Sequence, residues 1–111
     1  MRSDNDHNKT IGTLYRHGDV LIQRIGNLPR GIHKRDDAIL AHGEVTGHSH
    51  RIREPESVQL WQRASDLFLE VKGVSATLVH EEHRAIDLPR GIYHVWKQRE
   101  YRPDAFVEVE D

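Results

Sequence analysis

An all-β fold is predicted, on three observations. The apolar residues fall in short runs rather than long amphipathic stretches, turn signals separate the runs, and almost no segment is free of helix breakers. The turns recur roughly every 8–12 residues, the spacing of a β-sandwich or barrel. The chain has 111 residues, a usual size for one domain.

Residues 1–12 are polar and lack periodicity; they read as a flexible N-terminal arm ahead of a β-barrel domain over 13–111. In 19–25, Val20 and Ile22 alternate with Leu21 and Gln23, and Asn27-Leu28-Pro29-Arg30-Gly31 then punctuates the run. Residues 39–42 form a second run and 45–52 a third, with Gly43 and Gly47 as bends. Further strands are expected at 58–61, 67–71, 74–79, 85–88, 92–96 and 105–109. Turns are expected at Glu54-Pro55, Lys72-Gly73, 80–83, Pro89-Arg90-Gly91 and Arg102-Pro103. Over 57–68 the positions Val58, Leu60, Trp61, Ala64, Leu67 and Phe68 also fit a helical period, but the alternation of Leu67, Leu69 and Val71 draws the second half to strand. One core should gather Val20, Ile22, Leu69, Val71, Ala76, Leu78, Ile86, Leu88, Ile92 and Val107.

Charge and composition exclude several classes. Sixteen basic side chains against eighteen acidic ones leave a net charge of −2, so there is no general attraction to nucleic acid. There is no cysteine, hence no disulfide, thiol nucleophile or thiolate metal site. No apolar run approaches about 18 residues and no leader pattern is visible. A soluble, cytoplasmic protein with no membrane partner is the expectation. Histidine is the outlier, with nine residues.

Two histidine groupings carry the chemistry. In Gly43-Glu44-Val45-Thr46-Gly47-His48-Ser49-His50, the alternation of a strand puts His48 and His50 on one face. Coordination of one metal ion would keep both imidazoles neutral. His94 follows Pro89-Arg90-Gly91 and shares its strand face with Ile92 and Trp96, an apolar face that reads as inward. An inward imidazole needs partners for both nitrogens, which a metal and one further acceptor supply. His80-Glu81-Glu82-His83 lacks the zinc-protease spacing and reads as a turn, although His80 continues the face of Val74, Ala76 and Leu78. With His42, His80 or His83 is thus the alternative to His94 as third ligand.

These residues resemble the two motifs of the cupin superfamily. Gly43, His48-Ser49-His50 and Glu54 follow the order of the first motif, with Trp61 where its closing glycine belongs. His83, Pro89-Arg90-Gly91, His94 and Gln98 follow the spacing of the second, with His and Gln at its terminal Gly and Asn. The resemblance spans about half the chain, 43–98. It implies a small single-domain cupin-like jelly-roll barrel whose mouth holds a divalent metal through His48, His50, His94 and Glu54, with Asp66 as alternative carboxylate. The string from His42 to His50, with His80-Glu81-Glu82-His83 and Gln98-Arg99-Glu100-Tyr101, is also similar to short bacterial or phage proteins of unassigned role.

Imidazoles with one oxygen ligand and no sulfur suit iron, manganese, nickel or zinc. An enzyme built this way would act on an oxygen-rich small molecule, with Glu44 or His42 moving protons. The alternatives are a non-enzymatic ligand- or partner-binding module with structural histidines, and a nucleotide or single-stranded nucleic-acid module using Arg99, Tyr101 and Arg102. Edge strands with Trp61, Phe68 and Tyr93 are expected to pair subunits into a homodimer.

Overall fold

The structure, a computed structural model, describes residues 12–98. Residues 1–11 of the expected arm, the strand expected over 105–109, Val107 and the Arg99–Tyr101–Arg102 group lie outside the described residues. Among the described residues every strand pairing is antiparallel and there is no α-helix. The strands are β1 (Leu14–His17), β2 (Val20–Ile25), β3 (His33–Arg35), β4 (Ile39–His42), β5 (Ser49–Ile52), β6 (Val58–Arg63), β7 (Asp66–Val79) and β8 (Ile86–Lys97). The helical alternative for 57–68 gives way to one 3-10 turn, Pro55–Ser57, followed by the β6–β7 hairpin.

The long β7–β8 hairpin is the spine. The first part of β7 lies between β6 and the second part of β8; its last residues lie between β5 and the first part of β8. β2 adds to the far side of β8 and β1 to β2, while β3 borders β6 and β4 borders β5. β1 and β4 end the main ladder without pairing to each other, so the sheet is not closed by hydrogen bonds among the described residues.

Lys72-Gly73 and Pro89-Arg90-Gly91 correct the sequence expectation, because neither is a turn. Both lie within strands, at an irregularity where Val71↔Gly91 and Ser75↔Pro89 are successive pairs. Four steps along β7 face two along β8, so the spine bulges and continues. Proline is tolerated there because its missing N–H costs no ladder bond. Arg90 Nε donates to Gly73 O at 3.1 Å across the bulge. Gly91 has φ +156°, and an added Cβ would lie 2.7 Å from the Arg24 guanidinium carbon.

The bulge inverts the faces of both strands. Leu69 and Val71 point into the core on one side of it, and Ala76 and Leu78 on the other; on β8, Leu88 is succeeded by Tyr93 and Val95. Seven of the expected core residues are in the buried cluster, and Ile86 packs against it. Ile92 is displaced by Tyr93, which is fully buried, donates its hydroxyl proton to Pro89 O, and has its phenol pushed up to about 12 by burial. Phe68 is buried too, and Trp61 is half-buried with its indole N–H on Glu70 Oε1 at 3.0 Å. The aromatic surface expected to pair subunits is therefore not exposed at Phe68 or Tyr93. No helix among the described residues is long and apolar enough to cross a membrane.

Candidate metal centre

Three connections meet at one end of the sheet. The β1–β2 turn, Gly18-Asp19, follows His17, which shares the inward face of Tyr15 and is 2 % exposed. β5 sends His50 inward beside the core residue Ile52, also with 2 % exposure. His80 leaves β7 on the inward parity of Ala76 and Leu78, and the loop that follows carries His83. His48 ends the β4–β5 turn, which is held by Gly43 N–H to His48 O at 2.8 Å and His48 N–H to Val45 O at 3.0 Å.

Ring centroids lie 4.4 Å apart for His50–His80, 4.6 Å for His80–His83, 5.7 Å for His50–His83 and 5.6 Å for His48–His80. Gly18 makes room for this packing: an added Cβ would lie 2.7 Å from His83 Nε2 and 3.1 Å from His50 Cε1.

Hydrogen bonding sets the tautomers. His17 Nε2 is 3.0 Å from Arg84 O, and a carbonyl only accepts, so this nitrogen carries the proton. In neutral His17 the other nitrogen, Nδ1, then accepts, and its partner at 2.9 Å is His50 Nδ1. His50 Nδ1 therefore donates, which leaves the lone pair on His50 Nε2. Burial, reinforced by His80 and His17, pushes the His50 imidazolium down to about 4, with Asp19 opposing. Burial also lowers His17, with Arg84 O opposing and His83 and His80 reinforcing. Both rings are thus neutral at neutral pH, as metal ligation requires. Asp19 Oδ1 lies 3.6 Å from His50 Nε2, so a carboxylate faces that lone pair.

Among the described residues, two sets of side chains place their ligand atoms within 4.8 Å of one another: His50, His80 and His83, and His48, His80 and Glu81. Beside them opens a cavity of about 860 Å³ whose lining includes Arg16, Asp19, Glu44 and Glu82. Among those lining side chains, one arginine faces three carboxylates.

His48 and His50 of the expected site are in these sets; His94 and Glu54 are in neither. His94 follows Tyr93, which the bulge turns inward, so it projects from the opposite face. It lies between Phe68 and Trp96, with centroids 5.1 and 5.0 Å away, and its Nε2 is 3.8 Å from Asp66 Oδ1. Glu54 instead takes the Thr77 N–H and hydroxyl, each at 2.8 Å, and these bonds hold its carboxyl below the usual range. Asp66, the alternative carboxylate, is thus beside His94. Of the expected proton-transfer groups, Glu44 lines the cavity, while His42 is exposed on β4 and is not among the lining residues. The alternative third ligands, His80 and His83, are the ones that join His50. His17 was not anticipated; Gly18-Asp19 before an alternating run is the hairpin signal that would have extended the first strand back to it.

An antiparallel β-domain with a histidine cluster at the open junction of three connections defines the class. The chain belongs to the family described as domain of unknown function DUF8820, which matches residues 16–98. That span includes all the histidines of the cluster. No curated protein and no solved structure gives a significant match.

Proposed function

We propose that this domain binds one divalent transition-metal ion through His50, His80 and His83, and that the ion presents open coordination positions to the adjacent cavity. The observation that carries this function is the His50–His80–His83 convergence, with His50 held in the ligating tautomer by His17 and Arg84 O. A ligating imidazole whose other N–H is bound to an acceptor is the usual arrangement at protein metal sites. Three nitrogen ligands with a vacant position suit zinc, iron, nickel or manganese. The excess of carboxylates around the cavity favours a cation further.

A cupin-like jelly roll is part of this proposal, supported by the antiparallel strands and the shared bent hairpin. The ion would act there as a Lewis acid toward an oxygen-bearing small molecule, with Glu44 placed to exchange a proton. A ligand-binding module without turnover uses the same cavity and differs only in lacking a reaction.

Zinc titration of tag-free protein by calorimetry, with metal analysis of the product, tests the site. One ion per chain is expected, with affinity reduced at least about tenfold, or 1.4 kcal/mol, in His83→Ala and unchanged in His94→Ala and Glu54→Gln. Loss of binding in His94→Ala with retention in His83→Ala would return the centre to the motif-derived ligands.

A further inference from the structure

His80 is the one residue common to both ligand sets. We propose that it serves two alternative positions for a single divalent cation, an inner one with His50 and His83 and an outer one with His48 and Glu81. The proposal rests on the site being a metal centre and adds a route by which the ion reaches it.

An independent observation marks the outer position. His48 Nδ1 is buried and has no hydrogen-bond partner among the described residues, and Glu82 Oε2 stands 3.6 Å from it. A buried ring nitrogen without a partner is unfavourable, and a carboxylate beside it adds negative potential. A cation at that point satisfies both groups. Each set has one exposed member, His83 or Glu81, and the two differ at the remaining residue, which is buried in the inner set (His50) and half-buried in the outer (His48).

The chemistry of His80 makes the positions exclusive. Its Nδ1 accepts the Glu82 N–H at 3.0 Å. A neutral imidazole has one lone pair on its ring nitrogens, so metal at Nδ1 displaces that bond directly. Metal at Nε2 moves the ring proton to Nδ1 and abolishes the bond equally. Two ions at once would require His80 to lose its last proton. The outer position is also the weaker. Glu81 already accepts Ser49 N–H at 3.1 Å through Oε1 and pairs with Arg51 at 3.0 Å through Oε2, which offsets its charge. The ion therefore lodges first at His48, His80 and Glu81 and then passes inward on the same His80 ring.

Zinc titration of the full chain, followed by calorimetry and by nitrogen-15 NMR of the histidine rings, tests the exchange. In the wild type, one ion binds per chain and at saturation shifts the His50 and His83 rings but not His48. In His83→Ala, a substitution in an exposed loop, one ion still binds, at least about tenfold more weakly, and the His48 ring signals now shift. In His48→Ala/Glu81→Gln, affinity stays near that of the wild type but loading slows in stopped-flow measurement. Two ions per wild-type chain would overturn the proposal, as would binding to His83→Ala that leaves the His48 ring unperturbed. If the wild type binds no zinc, the metal centre itself fails, an outcome distinct from either of these.

Discussion

Alanine substitution at Gly18 and at Gly47 separates backbone strain from metal-site geometry. Both residues have left-handed φ, +63° and +88°. A Cβ in that region costs roughly 1–2 kcal/mol, so both variants lose similar stability on this account. Around Gly47 nothing lies within 4 Å of the added atom. At Gly18 the new Cβ would be 2.7 Å from His83 Nε2, against 3.4 Å for ordinary contact, so the ring must retreat by about 0.7 Å. His83 is in an exposed loop and its retreat costs the fold little. Metal–ligand distances, however, tolerate only about 0.2 Å. The apo proteins should both melt lower, by about 4–8 °C for each kcal/mol in a domain of this size. Zinc affinity should fall at least about tenfold, or 1.4 kcal/mol, in Gly18→Ala and stay unchanged in Gly47→Ala. Calorimetric melts in chelator and zinc titrations measure the two quantities. Equal zinc affinities in the two variants would refute the placement of the ion beside His83.

His17→Phe removes the acceptor for His50 Nδ1–H; it should destabilise the protein by about 1–3 kcal/mol and weaken zinc binding by roughly 10–100-fold, read by denaturant melts and titration. Stability without metal should depend on pH with a defined sign. His50 is lowered to about 4 in the folded state, so the unfolded chain takes up its proton first. Stability is then full above about 6.5, falls by on the order of 3 kcal/mol as pH drops toward 4, and levels off below; urea melts that stay flat across this range would exclude it. Ala64 has φ +53° in the β6–β7 turn, the only non-glycine residue at positive φ among those described. Ala64→Gly should therefore raise stability by about 1 kcal/mol, measurable as a higher melting temperature.

Strand positions were legible wherever one face is buried. The alternation of Val20 and Ile22, of Leu69 and Val71, and of Ala76 and Leu78 identified core residues because a half-buried strand repeats every second residue. The bulge was not legible, since Lys72-Gly73 and Pro89-Arg90-Gly91 carry the same residue types as turns. Read as turns, they left the face of 92–96 to be judged from Ile92 and Trp96 alone, whereas the core cluster takes Tyr93 and Val95. His48 and His50 were found because their spacing is local. His17 meets His50 across 33 residues and Arg84 across 67, and no local pattern encodes either meeting.

Those separations bear on when the proposed ion could be held during folding. The β6–β7 hairpin is closed by a two-residue turn, and such hairpins form in about 1–10 μs. His17 takes its place only when β2 finds β8, a pairing that joins Val20 to Lys97. Contacts of such sequence separation form slowly because the loop entropy precedes their reward. Partly folded chains therefore have the loop histidines but not the ring that orients His50, and they would hold metal only loosely. Under the proposed metal site, tight binding would mark the completed chain, and a bound ion would slow its opening from the β1–β2 end.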